Sequence, residues 1–250
     1  MPTDISFYII CAFGVLLAAI SKAGFGSKVA FAASAILATV IDPGQAIGIM
    51  LPLLLLMDVG SLRPYWRKWD MRITIVLLSG AVVGIALGAS FYRAVDADVF
   101  RVMLGLLTLA FVGYQALQSV NWIRPQGKGF GPIWGVVAGC VAGFTSFVSH
   151  AGGPPAAVYM LSHSMRKTTY QATTVIVFFI VNVLKFIPYA WLGLFTWETL
   201  KIDMIMAPFA LLGVWIGVRA HHWMSERFFF TVTYILLVCT GLRLLWVGLT

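Results

Sequence analysis

Residues 149–155 read Ser149-His150-Ala151-Gly152-Gly153-Pro154-Pro155, and 128 positions earlier the chain reads Ser21-Lys22-Ala23-Gly24-Phe25-Gly26-Ser27-Lys28. Both are polar, small-residue-rich interruptions of apolar sequence, and each directly precedes a short apolar segment. The echo continues in chain order on both sides. Gly84 and Gly88 fall 129 positions before Gly213 and Gly217; Phe100 precedes Phe229, and Cys11 precedes Cys140, by the same offset. Gly113 lies 128 positions before Gly241. Repeated matches at one offset are what a duplicated unit leaves behind. The register slips between the third and eighth apolar segments. The chain therefore divides into a first repeat (1–120), a connecting loop (121–129) and a second repeat (130–250).

Composition sets the medium. Hydrophobic residues make up 60% of the 250 and charged residues 10%, whereas a soluble domain carries about 25% charged residues. Mean hydropathy is +0.93. The net charge of +8 could suggest nucleic acid, but the basic residues punctuate apolar segments. That is the loop pattern of a membrane protein and not a phosphate-binding face. Cys11, Cys140 and Cys239 lie inside apolar segments without CxxC or metal spacing, so they read as small core residues. The N-terminus lacks a basic n-region and a cleavage site, and reads as the start of the first membrane segment.

Ten apolar segments fill the chain, at about 5–20, 28–41, 45–60, 72–92, 99–119, 130–148, 154–165, 170–190, 202–219 and 228–248. The second and seventh are too short for a hydrocarbon core of about 30 Å. Two arrangements fit: all ten segments cross, or segments one–two and six–seven form re-entrant hairpins between six full spans. Either gives each half an odd number of crossings, which inverts the second copy. The expected fold is an all-α membrane protein built as an inverted repeat of two five-segment halves, with 8–10 membrane helices.

Charge agrees with inversion. Arg63, Arg67, Lys68, Arg72, Arg124, Lys128, Arg166, Lys167, Arg219 and Arg227 fall on one side. Arg93, Arg101, Lys201 and Arg243 fall on the other, with Asp4, Asp42, Asp96, Asp98, Glu198 and Asp203. The richly basic side is expected in the cytoplasm, with both termini outside.

The two interruptions are the expected site. In a bilayer, irregular backbone survives only where protein or a water-filled cavity satisfies it. Pro154 and Pro155 suit a first helical turn, and a helix N-terminus favours an anion. Broken helices of inverted repeats commonly meet near the midplane around a substrate. The candidate binding residues are Ser149, His150, Ala151, Gly152, Gly153 and Pro154 from one break, and Ser21, Lys22, Gly24, Gly26 and Lys28 from the other. The competing reading is that small residues merely permit close helix packing.

Asn182 and Lys185 join the candidates, because an amide and an ammonium inside an apolar segment need partners or a cavity. Interhelical bonding for Asn182 and snorkelling for Lys185 are the alternatives. His150 and Asp58 are proton-coupling candidates, although Asp58 could simply pair with Arg63. Gln45, Gln171 and Tyr170 are weaker donor candidates. His163, His221 and His222 read as surface loop residues, and most tryptophans as an interfacial belt.

Taken together, Ser149-His150-Ala151-Gly152-Gly153-Pro154-Pro155, Ser21-Lys22-Ala23-Gly24-Phe25-Gly26, and Asn182 with Lys185 resemble the sulfite exporter TauE/SafE family over essentially the whole chain. The resemblance implies export of sulfite or an organosulfur anion such as sulfoacetate from a bacterial cytoplasm across the inner membrane. It implies no ATP motor, in agreement with the absence of a GxxxxGK[ST] loop. No cofactor or metal is called for, and a homodimer is left open. The first break is less glycine-dense than the second, so substrate contact is expected mainly at 149–155. An anion channel and a non-transporting scaffold are the other readings. An intramembrane hydrolase lacks HExxH, GxSxG and a carboxylate partner.

Overall fold

The computed structural model describes residues 4–24, 30–119, 129–220 and 226–250. These residues are mostly α-helical, without a strand among them. Each half contains five helices. The first half holds α1 (Ile5–Gly24), α2 (Ala32–Leu37), α3 (Pro43–Tyr65), α4 (Met71–Ala94) and α5 (Ala97–Ser119). The second holds α6 (Pro132–Ser149), α7 (Gly153–Leu161), α8 (Lys167–Trp191), α9 (Trp197–Ala220) and α10 (Glu226–Leu249). Eight are long and apolar enough to cross a membrane, and α2 and α7 are the two that are not. Residues 121–128 of the expected connecting loop, and with them Arg124 and Lys128, lie outside the described residues, as do Gly26, Lys28, His221 and His222.

Local chemistry sets the helix ends. Asp42 accepts from the Gly44 and Gln45 amides ahead of Pro43, and Asp70 accepts from the Ile73 amide. Each satisfies donors that a helix start otherwise leaves open. Pro132 opens α6, and Pro154 and Pro155 occupy the first turn of α7.

The helices associate by exchange between halves. On α4, a Cβ at Gly80 or Gly84 would collide with the Val136 or Cys140 carbonyl of α6, and one at Gly88 with the Phe147 side chain. In return, Gly139 and Gly143 face the Leu77 and Ala81 carbonyls. The ridge of glycines therefore lets two backbones touch, and α4 and α6 run in the same direction. The mirrored pair is α9 on α1. There Gly213 meets Leu16 and Ala19, and Gly217 meets Ile20 and Ala23, again with the chains parallel. By contrast α5 and α10 run oppositely, since Gly105 faces Gly241 and Leu244 while Val102 faces Gly248. Helices α3 and α8 are also antiparallel: Gly48 lies under the Leu194 carbonyl and Asp58 beside Asn182.

Short helices fold back on long ones. The Gly129 amide donates to the Ser162 carbonyl at 2.9 Å and the Phe130 amide to Ser162 Oγ at 3.1 Å. The start of α6 thus lies beside the end of α7. In the first half, Gly14 of α1 faces Ala33 and Leu37 of α2.

Four residues lie elsewhere than the sequence reading places them. Ser21, Lys22 and Gly24 belong to the last turn of α1 and not to the break itself. Asp203, expected at an outer loop, is a buried residue of α9 packed toward Cys11 of α1. Seven residues into the helix, its apolar neighbours Ile202 and Met206 carry it inward.

Candidate functional site

The second break is a helix-ending turn. The His150 backbone takes the left-handed conformation (φ 57°, ψ 14°), and its amide donates to the Ser146 carbonyl at 3.0 Å. The next amide, of Ala151, returns to the Thr145 carbonyl at 3.3 Å. This arrangement satisfies carbonyls that the end of α6 would otherwise leave open. Histidine is one of the few non-glycine residue types enriched in this region of backbone space. The turn projects the imidazole sideways, between α3 and α8.

Two buried groups, Lys185 and Ser146, meet the half-buried His150 imidazole there. Lys185 of α8 is fully buried and donates to the Ser146 carbonyl (3.0 Å), Ser146 Oγ (3.1 Å) and His150 Nδ1 (2.8 Å). An ammonium has three hydrogens and no acceptor, so these partners account for all of them. His150 Nε2 faces the Ile47 carbonyl at 3.1 Å and must be the N–H that donates to it. The Lys185 nitrogen and His150 Nδ1 share one hydrogen bond, which allows at most one positive charge between them. This geometry points Lys185 inward, away from the lipid-facing position that snorkelling would require.

The first half supplies a parallel arrangement. Lys22 Nζ stands 2.7 Å from Asp58 Oδ1, an ion pair whose angle falls outside hydrogen-bond geometry, and donates to the Leu54 carbonyl at 3.2 Å. Asn182 of α8 donates to the other carboxylate oxygen at 2.7 Å. Asp58 thus pairs across the repeat and not with Arg63. Lys22 and His150 lie 128 positions apart, and each meets an ionisable residue on the third helix of its own half of the chain.

Beside this network is a cavity of about 340 Å³, within the ~300–1,000 Å³ typical of small-molecule sites. Lys22, Ser146, His150, Gly153, Pro154 and Asn182 border it. Tyr170, Thr174, Phe178 and Asn182 recur every fourth residue of α8, so one helix face forms a wall about 18 Å long at 1.5 Å per residue. Tyr114, Gln115 and Gln118 of α5 add neutral polar groups.

The predicted residues therefore divide. Lys22, His150, Gly153, Pro154 and Asn182 border the cavity, whereas Ser149, Ala151, Gly152 and Lys185 stand behind it. Ser149 Oγ donates back to the Thr145 carbonyl, and its own carbonyl accepts from Ser34 Oγ. A Cβ at Gly152 would lie 2.6 Å from the Ala142 carbonyl, so this glycine serves close packing. Nothing lies within 4 Å of where a Cβ on Gly153 would be. Ser21 is fully buried within α1. The two prolines at the start of α7 carry no amide hydrogen, so that helix end offers fewer donors than a helix start normally does.

Of the weaker candidates, Tyr170 reaches the cavity, while the Gln45 amide serves the Asp42 cap. His163 Nδ1 lies 2.9 Å from the Tyr159 carbonyl at the end of α7. Ser146, Thr174 and the α5 trio were missed as binding candidates. The signal for the trio was Tyr114-Gln115 with Gln118, three polar residues on one face of an apolar segment.

Eight apolar helices define a multi-pass membrane protein, and a buried basic cluster lies beside a cavity within it. Residues 10–244 match the family described as sulfite exporter TauE/SafE, and the chain belongs to that family. No individual curated protein and no solved structure matches it.

Proposed function

We propose that this protein is a secondary carrier that exports sulfite or a small organosulfur anion, binding it between the two breaks. The observation that carries this reading is the charge of the buried cluster. Two ammonium groups, Lys22 and Lys185, face one carboxylate, Asp58, and among the described residues no second acid lies within ion-pair range. A buried cation needs a counter-charge. A bound anion at the cavity wall formed by Lys22, Asn182, Ser146 and Gly153 supplies it.

Helix directions support an inverted duplication. Equivalent helices α3 and α8, and α5 and α10, run antiparallel, as mates across an axis in the membrane plane would. Parallel repeats would align them. The bonds from Gly129 and Phe130 to Ser162 fit a hairpin that enters and leaves the bilayer on one side. With the basic loops assigned to the cytoplasm, the cavity extends from the Gln118, Leu161 and Tyr170 end on that side to the charged cluster. An inward-open carrier would have this shape, and both termini would be periplasmic in a bacterial inner membrane.

The carrier turns over by rocking one half against the other. The site is shared between halves through Asp58–Asn182 and His150–Ile47, so such motion must remake these contacts. Asp58 and His150 are the groups through which a proton could be coupled. Reconstitution into liposomes tests the proposal: sulfite flux should saturate with concentration and fall at least tenfold in Lys22→Met. Non-saturating flux would identify a channel, and absence of flux for every sulfur oxyanion would favour a scaffold.

A further inference from the structure

Resting on the carrier reading above, we infer that the site selects monovalent anions with an uncharged body over divalent anions of the same size. Three observations combine. First, the cluster holds at most one uncompensated positive charge: Lys22 and Asp58 cancel at 2.7 Å, and Lys185 and His150 share one hydrogen bond at 2.8 Å, which allows a single positive charge between them. A second negative charge on the ligand would have no buried partner, and desolvating an unpaired charge is strongly unfavourable.

Second, the rest of the cavity wall is neutral. Beyond Lys22 and His150 it offers the phenols of Tyr114 and Tyr170, the amides of Gln115 and Gln118, and apolar surface from Phe111 and Phe178. None of these would pair with a second anionic group or with an ammonium tail. Third, the cavity of about 340 Å³ is far larger than a four-heavy-atom oxyanion, leaving room for an organic body along the α8 wall. Charge count and shape together place bisulfite and simple alkyl- or hydroxyalkylsulfonates ahead of doubly charged sulfoacetate.

The test uses two ligands of fixed charge, ethanesulfonate and ethane-1,2-disulfonate, titrated calorimetrically into the purified full-length protein at constant ionic strength. The expected result is at least tenfold tighter binding of the monosulfonate. Asp58→Asn raises the cluster by one positive charge and should shift the ratio at least tenfold toward the disulfonate. Should that variant not fold, Gln115→Lys, on the half-buried cavity wall, adds the charge elsewhere and should shift the ratio the same way. Equal or tighter disulfonate binding by the unmodified protein, lost in Lys22→Met, would overturn this inference and leave the carrier reading standing. An unchanged ratio in the folded charge variants would overturn it too. Binding of neither sulfonate nor sulfite would overturn both.

Discussion

Asn182 and Asp58 are 124 positions apart, one in each half of the chain, and the amide of the first donates to the carboxylate of the second across 2.7 Å. Both are buried, and the bond spans α8 and α3, the third helices of the two halves. With Lys22 on the other oxygen, the carboxylate ties three helices together. In the proposed carrier, where one half rocks against the other, these are contacts that the motion must remake.

Asn182→Leu should therefore expose the dependence of Asp58 on its partners. Leaving one oxygen of a buried carboxylate unsatisfied costs ~1–3 kcal/mol or more. The midpoint of thermal unfolding in detergent should fall, and Lys22→Met, which strands the charge itself, should lower it further, by ~3–5 kcal/mol. An unfolding midpoint unmoved by Asn182→Leu would show that the bond contributes nothing.

Lys185→Met separates charge from packing. Removing an ammonium that has no carboxylate of its own relieves a desolvation cost, but it leaves the Ser146 carbonyl and His150 Nδ1 unpaired, a loss of ~1–3 kcal/mol. Stability should therefore fall by no more than about 3 kcal/mol, while anion affinity drops at least tenfold. A protein that binds sulfite normally without Lys185 would show that the uncompensated charge is irrelevant to the ligand.

The two adjacent glycines should behave oppositely. Gly152→Ala drives a methyl group toward the Ala142 carbonyl and Ser146, and overpacking of that kind costs ~1–3 kcal/mol. Gly153→Val has open space, so the fold should persist while the cavity narrows and affinity falls. Comparing unfolding midpoints with binding isotherms for the pair checks both statements.

The glycine ridge between α4 and α6 makes a purely structural prediction. Gly84→Val would collide with the Cys140 carbonyl and should destabilise by about 3 kcal/mol, the upper end of overpacking costs. Gly113→Ala meets nothing within 4 Å and lies within α5, so it should be neutral or stabilising by up to ~1 kcal/mol. Thermal unfolding of the two variants side by side would separate a packing role from simple helix propensity.

Much of the fold was legible because membrane segments write themselves in composition: apolar runs, Asp and Pro at starts, basic loops. The GxxxG echo at 84/88 and 213/217 also carried over, as the contact surfaces of α4 and α9. Side-chain partnership was harder to read. Asp58 lies five residues from Arg63 and 36 from Lys22, so local spacing favoured the wrong partner, and only the fold brings Lys22 across. Lys185 looked free to reach the interface, because its inward face depends on where α6 ends. The left-handed turn at His150 was likewise invisible, since glycines nearby were the obvious candidates for it. The breaks pointed to a candidate site, but its electrostatics came from three-dimensional pairing.

The most direct test of the central claim is calorimetric titration of sulfite into the purified protein, alongside Lys22→Met and Lys185→Met with their folding verified. The account predicts saturable one-site binding by the parent and at least tenfold weaker binding by each variant. Sulfite binding of equal strength in all three proteins would contradict it.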